Sequence, residues 1–211
     1  MDASSDDPGH EAPILTERLV LRCHGPEDFA PSAALWADPD VVRHITGMPS
    51  SRAESWARLL RHAGHWALFG HGYWTVRDRA GDAFLGEVGL ADWKREIEPS
   101  IEGEPEAGWV FRTDAQGRGF AREAVRAMLA WADARLDAPS TVCIVAPAQL
   151  ASIRLARAVG YAEVLETRYR DEPTLLFRRP RGGAPTIGSS GPDRTSAETA
   201  TDPPWASGSR W

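Results

Sequence analysis

The segment Gln116-Gly117-Arg118-Gly119-Phe120-Ala121 joins a strand-like run to a helix-like run. Glu106 to Phe111 reads as the strand. Ala121 to Arg135 reads as the helix, with Ala124, Met128, Leu129 and Trp131 on one face. Two glycines and a small residue leave the backbone N–H groups of a helix N-terminus uncrowded. Those N–H groups lack intrahelical partners and the helix dipole favours an anion, so the junction suits a pyrophosphate-bearing cofactor. Taken alone, the glycines fit a tight turn without ligand better than a site. A P-loop would end in Gly-Lys-Ser/Thr, where this chain has Gly119-Phe120-Ala121. A dinucleotide fingerprint begun at Gly117 would place its third small residue at Arg122.

The flanking sequence sets the frame. Leu19 to Leu21 is a first strand. Gly25-Pro26-Glu27-Asp28 starts a helix running to about Trp36, and Asp38-Pro39-Asp40 starts a short helical piece through His44. Ser51-Arg52-Ala53-Glu54 is a capping box for a helix to about Phe69. Tyr73–Val76 and Ala83–Leu90 form a hairpin. Strand 141–145, helix 149–159 and strands 163–169 and 174–178 complete a mixed α/β order. The strand–helix–strand unit around the glycine loop is expected to be parallel with a right-handed crossover.

The 211 residues suffice for one domain with a real core. We expect an acidic lead-in without order over 1–13, the domain over 14–180, and a Gly/Pro/Ser/Thr-rich tail without order over 181–211. Trp205 and Trp211 stand out in that tail as sticky contacts or as bystanders. The net charge of −6 argues against a nucleic-acid partner. No run has the length and apolarity of a membrane span, so no membrane partner is expected. Cys23 and Cys143 sit in separate strand-like runs and read as buried free thiols of a reducing, cytoplasmic compartment.

Several segments together resemble the GNAT superfamily of acyl-CoA-dependent N-acetyltransferases, more narrowly the branch that includes the ribosomal-protein-alanine N-acetyltransferases. They are Leu15-Thr16-Glu17-Arg18-Leu19-Val20-Leu21-Arg22, Phe84 to Leu90 with its Gly86 and Gly89-Leu90, Glu106-Ala107-Gly108-Trp109, Gln116 to Ala121, Ala151-Ser152-Ile153-Arg154 and Gly160-Tyr161. The resemblance covers residues 12–180. It implies a central, mostly antiparallel sheet with one splayed parallel strand pair and flanking helices. It implies acetyl-CoA as co-substrate, a small-molecule amine or protein N-terminus as acceptor, and often a homodimer. A binding module that holds acetyl-CoA without turnover is the alternative.

The resemblance implies that Gly117, Arg118, Gly119, Phe120, Ala121 and Arg122, preceded by Gln116, receive the pyrophosphate. Trp109, Val110 and Phe111 would line the pantetheine arm, with a strand N–H near Val110 polarising the thioester carbonyl. Gln149, counted with Ser152 among the cofactor-binding residues, stands where the branch has Asn and predicts a poorly capped helix. Ala156 stands where many members have a tyrosine, so Ser152 or water would protonate the leaving thiolate. Glu106 and Glu87 are the candidate bases, since burial raises a carboxylate's pKa. Either could instead be a structural carboxylate.

His62 and His65 share a helix face, yet no third metal ligand is evident, and both read as exposed. The 92–104 loop is net acidic: a lure for a cationic amine if it borders the site, otherwise a solvated loop. Trp36, Trp56, Trp66 and Trp74 could line an acceptor pocket or pack in the core.

Overall fold

We describe a computed structural model of the protein over residues 11–183; the expectations for 1–10 and 184–211, Trp205 and Trp211 included, lie outside the described residues. The strands are β1 (Ile14–Leu15), β2 (Leu19–Cys23), β3 (Tyr73–Asp78), β4 (Phe84–Ala91), β5 (Glu106–Phe111), β6 (Ser140–Val145), β7 (Ala162–Tyr169) and β8 (Glu172–Pro180). The helices are α1 (Phe29–Ala37), α2 (Pro39–Val42), α3 (Arg52–Phe69), α4 (Phe120–Arg135) and α5 (Leu150–Ala158). Element order and type follow the sequence pattern closely; the 3-10 turn Thr113–Ala115 and the two-residue β1 were not anticipated. β1 adds to the sheet edge through Ile14↔Leu21 and Leu15↔Val20.

One eight-stranded sheet runs in the order β1-β2-β3-β4-β5-β6-β8-β7. Every neighbouring pair is antiparallel except β5 and β6, which are parallel. A helical crossover, α4, joins those two strands, as a parallel connection demands. β5 and β6 share one registered pair, Glu106↔Val142, whereas β4 and β5 share six. The sheet is thus opened between β5 and β6 beyond Glu106.

Side chains alternate between the two faces of a strand. One face carries Trp74, Val76, Val88, Leu90, Ala107 and Phe111, and packs on α4 and α5 through Ala124, Met128, Leu129 and Ile153. Trp66 and Trp131 close edge-on around Trp74 at 4.8 and 5.1 Å. The other face packs Phe84 and Val110 on Leu35, Trp36, Val41 and Val42. α3 begins at the anticipated box, with Ser51 Oγ accepting from Glu54 N and Glu54 Oε2 from Ser51 N. It ends on Gly70 at φ 65°, in the left-handed region that glycine tolerates. Glu11 accepts a hydrogen bond from Trp131 Nε1 at 3.1 Å, so the stretch expected as a lead-in already touches α4 there.

A buried carboxylate locks the start of α1 to the sheet. Asp28 is fully buried and accepts two bonds from Arg22, at 2.8 and 2.9 Å, one from Arg77 at 3.1 Å and one from Gly25 N at 2.9 Å. Removing one member of such a cluster leaves charges without partners. We therefore expect Asp28→Ala to lower stability by about 3 kcal/mol, the low end for a buried pair because both arginines keep some water. Urea unfolding at neutral pH measures this.

Candidate active site

The glycine loop meets the sheet at the open end of the β5–β6 gap. Gly117 and Gly119 have φ of 73° and 81°, so both positions favour glycine conformationally. Gly119 is the N-cap of α4, and among the described residues no side chain caps that helix. Among the described residues, none of the backbone N–H groups from Gly117 to Arg122 has an acceptor. Six consecutive free donors at the positive end of a 16-residue helix are a fitting cradle for a pyrophosphate. Arg122 is exposed and makes no ion pair among the described residues, leaving its charge available. Arg118 lies over the Phe120 ring at 4.6 Å. Phe120 buries its side chain in the core and Ala121 packs against it, so each offers the cradle its N–H alone.

Gln116 supports the gap itself. Its Nε2 donates to Phe111 O at 3.2 Å, satisfying a carbonyl that the absent β6 ladder leaves free. Arg112 N donates to Leu85 O, and antiparallel bonding alternates, so Val110 and Gly108 spend their backbone groups on β4. The gap is therefore faced by Ala107, Trp109 and Phe111. This corrects the expectation for Val110, whose N–H points into the ladder and whose side chain is core. Within β5, only Gly108 and Trp109 are not fully buried.

The three candidate catalytic residues are not brought to one place. Trp109 Nε1 donates to Ser152 Oγ at 3.4 Å, which puts Ser152 on the α5 side of the sheet beside the gap. Glu106 and Glu87 project from the opposite face. Gln149 starts α5 without any side-chain cap, as its replacement of Asn predicts. Ala156 is fully buried against that same core.

Glu106 lies at the closed end of the gap, 5% exposed, and both its oxygens accept from Arg95, at 2.5 and 2.7 Å. Burial pushes its carboxyl up from the ordinary value, and the Arg95 bonds and charge oppose this without cancelling it. Arg95 also covers the Tyr169 ring at 4.7 Å.

Glu87 behaves differently. It is fully buried and accepts from Ser32 Oγ at 2.6 Å and Trp36 Nε1 at 3.0 Å, with His24 Nε2 at 3.2 Å. Burial alone would raise it, but the His24 and Ser32 bonds and the nearby imidazoles prevail and hold it at about 2. A carboxylate so stabilised is a poor proton acceptor, and its surroundings leave no room for an amine. Glu87 is thus a structural carboxylate joining α1 to β2 and β4, a correction to its candidacy as base.

His62 and His65 are buried, not exposed. His65 bridges Arg61 O and Asp92 O, and His62 stacks on Tyr73. His24, His62 and Glu87 bring ligand-type atoms within 4.8 Å of one another, a trio formed by the residue after β2, by α3 and by β4 that the sequence pair did not reveal. His24 already spends both ring nitrogens, on Tyr73 O and Glu87. The 92–104 loop is also neither a simple lure nor a solvated segment. Lys94 binds Asp92 and Glu102, Glu104 binds Arg178, and Ile97 and Ile101 pack on Val142 and Leu176. Of the tryptophans, Trp66 and Trp74 are core and Trp36 serves Glu87, while Trp56 meets Phe29 edge-on.

The family described as acetyltransferase (GNAT) domain matches residues 18–162. The chain belongs to the GNAT acetyltransferase family. A GNAT-family acetyltransferase structure from Bordetella pertussis, itself described as putative, is 27% identical, with a TM-score of 0.73 over 80% of this chain and 99% of that one. Two more distant structures share the fold. Spermidine N-acetyltransferase from Vibrio cholerae, in complex with CoA and spermine, is 16% identical, with a TM-score of 0.63 over 80% of this chain and 98% of its own. RimL, a ribosomal L7/L12 alpha-N-protein acetyltransferase in complex with CoA, is 12% identical, with a TM-score of 0.65 over 80% and 98%. The mixed sheet with its splayed parallel pair is the GNAT arrangement that the sequence resemblance implied. Both cysteines are free thiols. Among the described residues, no helix is long and apolar enough to cross a membrane.

The Glu87 cluster has a pH signature. An unfolded glutamate titrates near 4.5 and this one near 2 when folded. Its stabilisation is complete above pH 4.5 and is lost as pH falls toward 2. At 1.36 kcal/mol per unit, the loss is on the order of 3 kcal/mol. Unfolding free energies measured across that window should fall less steeply for Glu87→Gln than for the parent. Equal slopes would show that Glu87 is not held as described.

Proposed function

We propose that this acetyltransferase moves an acetyl group from acetyl-CoA to a primary amine, either a small-molecule amine or a protein N-terminus, by direct attack in a ternary complex. One observation carries the reading: an N–H cradle at the start of α4 opens onto a gap between two parallel strands that touch at one residue pair. Acetyl-CoA supplies the thioester. The N–H groups of Gly117 to Arg122 hold its pyrophosphate, with Arg122 adding charge. Trp109 and Phe111 turn their backbone groups toward the arm in the gap.

The amine must be neutral to attack. An α-amine titrates near ~8 and a lysine side chain near ~10.4, so an N-terminal acceptor asks less of the base. Glu106 is the carboxylate at the closed end of the gap. Burial raises its affinity for a proton, and Arg95 fixes its orientation. Ser152, beside the gap on the α5 side, serves the departing thiolate, which at ~8.5 needs little help. The opposite placement of Glu106 and Ser152 suits a reaction in which the proton leaves nitrogen on one side and reaches sulfur on the other.

Thiol release from acetyl-CoA, assayed over peptides beginning with Ala or Ser, polyamines and aminoglycosides, tests this. Turnover on at least one class is expected. Tight acetyl-CoA binding with no turnover on any of them would support the non-catalytic module instead. Gly119→Ala should raise KM for acetyl-CoA about tenfold, because a non-glycine residue at positive φ costs ~1–2 kcal/mol and the loop relaxes away from the cradle geometry. The added methyl itself meets nothing closer than 3.5 Å, so overall folding should be preserved.

A further inference from the structure

Tyr73, Gly89 and Gly108 form one row across β3, β4 and β5, through the pairs Tyr73↔Gly89 and Gly89↔Gly108. A Cβ built on Gly89 would strike the Tyr73 ring, and one built on Gly108 would strike the Tyr73 hydroxyl. The two glycines therefore let the tyrosine lie flat across β4 and deliver its Oη to β5. His62 stacks on the ring at 4.5 Å and 10°, and Trp93 packs at 5.7 Å. The backbone is held as firmly, since Tyr73 O accepts from Trp66 Nε1 at 3.0 Å and lies 3.1 Å from His24 Nδ1.

This apparatus ends at the place where the chemistry is expected. β5 and β6 part just beyond Glu106, and Gly108 lies two residues farther along on the same face. An arm entering from the α4 end brings its acyl group to that closed end. Gly108 and Trp109 are the residues of β5 that are not fully buried. Tyr73 is 8% exposed, and the side chain that hydrogen-bonds its hydroxyl is Trp93; an indole N–H only donates, so the phenol oxygen accepts there and its own O–H proton is left to donate. A donor seated so closely, whose proton has no acceptor among the described residues, is available for a ligand.

We propose that Tyr73 is a catalytic residue whose hydroxyl donates a hydrogen bond to the carbonyl oxygen of the acetyl thioester. The inference rests on the acetyl-CoA reading above. As the amine nitrogen bonds to the carbonyl carbon, the C=O pair shifts onto oxygen, where Tyr73 O–H and the gap-facing N–H groups of β5 meet the charge. When C=O re-forms, the carbon–sulfur bond breaks and its pair stays on sulfur. One proton has left nitrogen and one reaches sulfur; Tyr73 keeps its own. Burial pushes the phenol above its ordinary value, with Glu106 adding to the rise, so the group stays a neutral donor throughout the working range. His62, held well below its ordinary value by burial, stays uncharged beneath it and does not compete for the negative oxygen.

Tyr73→Phe keeps the ring, the stack and the fit over both glycines, and removes the donor alone. Calorimetry on the full chain should show acetyl-CoA binding weakened by about threefold to tenfold, a neutral hydrogen bond's worth, with CoA binding changed less than twofold. The carbonyl stretch of bound acetyl-CoA labelled with 13C should lie lower in the parent than in the variant. With an accepted amine, kcat should fall about 10²-fold to 10³-fold at unchanged acceptor KM, the cost of one oxyanion donor. Gly108→Ala, which crowds the hydroxyl, should reproduce the binding loss and add little to it in the Tyr73→Phe background. An unchanged acetyl-CoA to CoA ratio together with an unshifted stretch would overturn the Tyr73 assignment and leave acetyl-CoA binding standing. A parent protein that binds neither ligand would overturn the acetyl-CoA reading and this inference with it.

Discussion

The meeting of β5 and β6 at a single residue pair is the constraint on which the rest of the molecule depends. Two parallel neighbours that fail to pair leave backbone donors and acceptors unmet, which a fold tolerates only where something else meets them. Here the cost is contained on both sides. β5 is held by six registered pairs to β4, and β6 by six to β8, so neither half of the sheet needs the missing ladder to hold its strands. α4 and α5 cover the opening from one face and anchor it to the common core. Gln116 takes Phe111 O at the mouth, and the Ile97–Ile101 loop packs on Val142 near the closed end. The gap is a built feature rather than a frayed edge.

Buried charge does the complementary task of fixing helices that have little else to specify their position. α1 is short, and it docks on the sheet through two carboxylates. Asp28 draws in Arg22 and Arg77, while Glu87 draws in Ser32, Trp36 and His24. A buried carboxylate is costly until each of its oxygens is bonded, so these clusters act as all-or-none registration marks. They set α1, and through it the wall opposite α4 and α5, to one position relative to the gap.

Much of this was legible in the sequence because it is local. The glycine loop declares its φ angles, Ser51 and Glu54 declare a cap, and the poor capping residue Gln149 gave an uncapped helix. Alternation along 106–111 put Glu106 and Trp109 on opposite faces once the strand was recognised. What stayed hidden depends on register between distant segments. Nothing near Glu87 in sequence shows that Ser32, Trp36 and His24 converge on it, so its candidacy as a base looked equal in kind to that of Glu106. His62 and His65 sit on a polar-looking helix whose buried face is defined by Tyr73 and Trp93 from elsewhere. The acidic loop looked like a field of free charge, because its partners Arg95 and Arg178 are paired only by folding. Gly89 and Gly108 were visible as motif glycines, but their reason, the ring of Tyr73, required the cross-strand row.

That row bears on how the fold divides its chemistry. The α5 face offers Ser152 and, at Ala156, only a methyl group buried in the core. The opposite face offers Glu106 and, on the row that ends at Gly108, Tyr73; one residue pair of the ladder lies between the two rows along the strands. A side chain that reaches the gap from α5 would come from a helix whose start lacks a side-chain cap. One that reaches it from β3 is carried by a strand paired on both sides and is clamped by His62, Trp66 and Trp93. Preorganisation favours the sheet as the carrier, because a donor aimed at developing charge is worth most when it need not move to meet it.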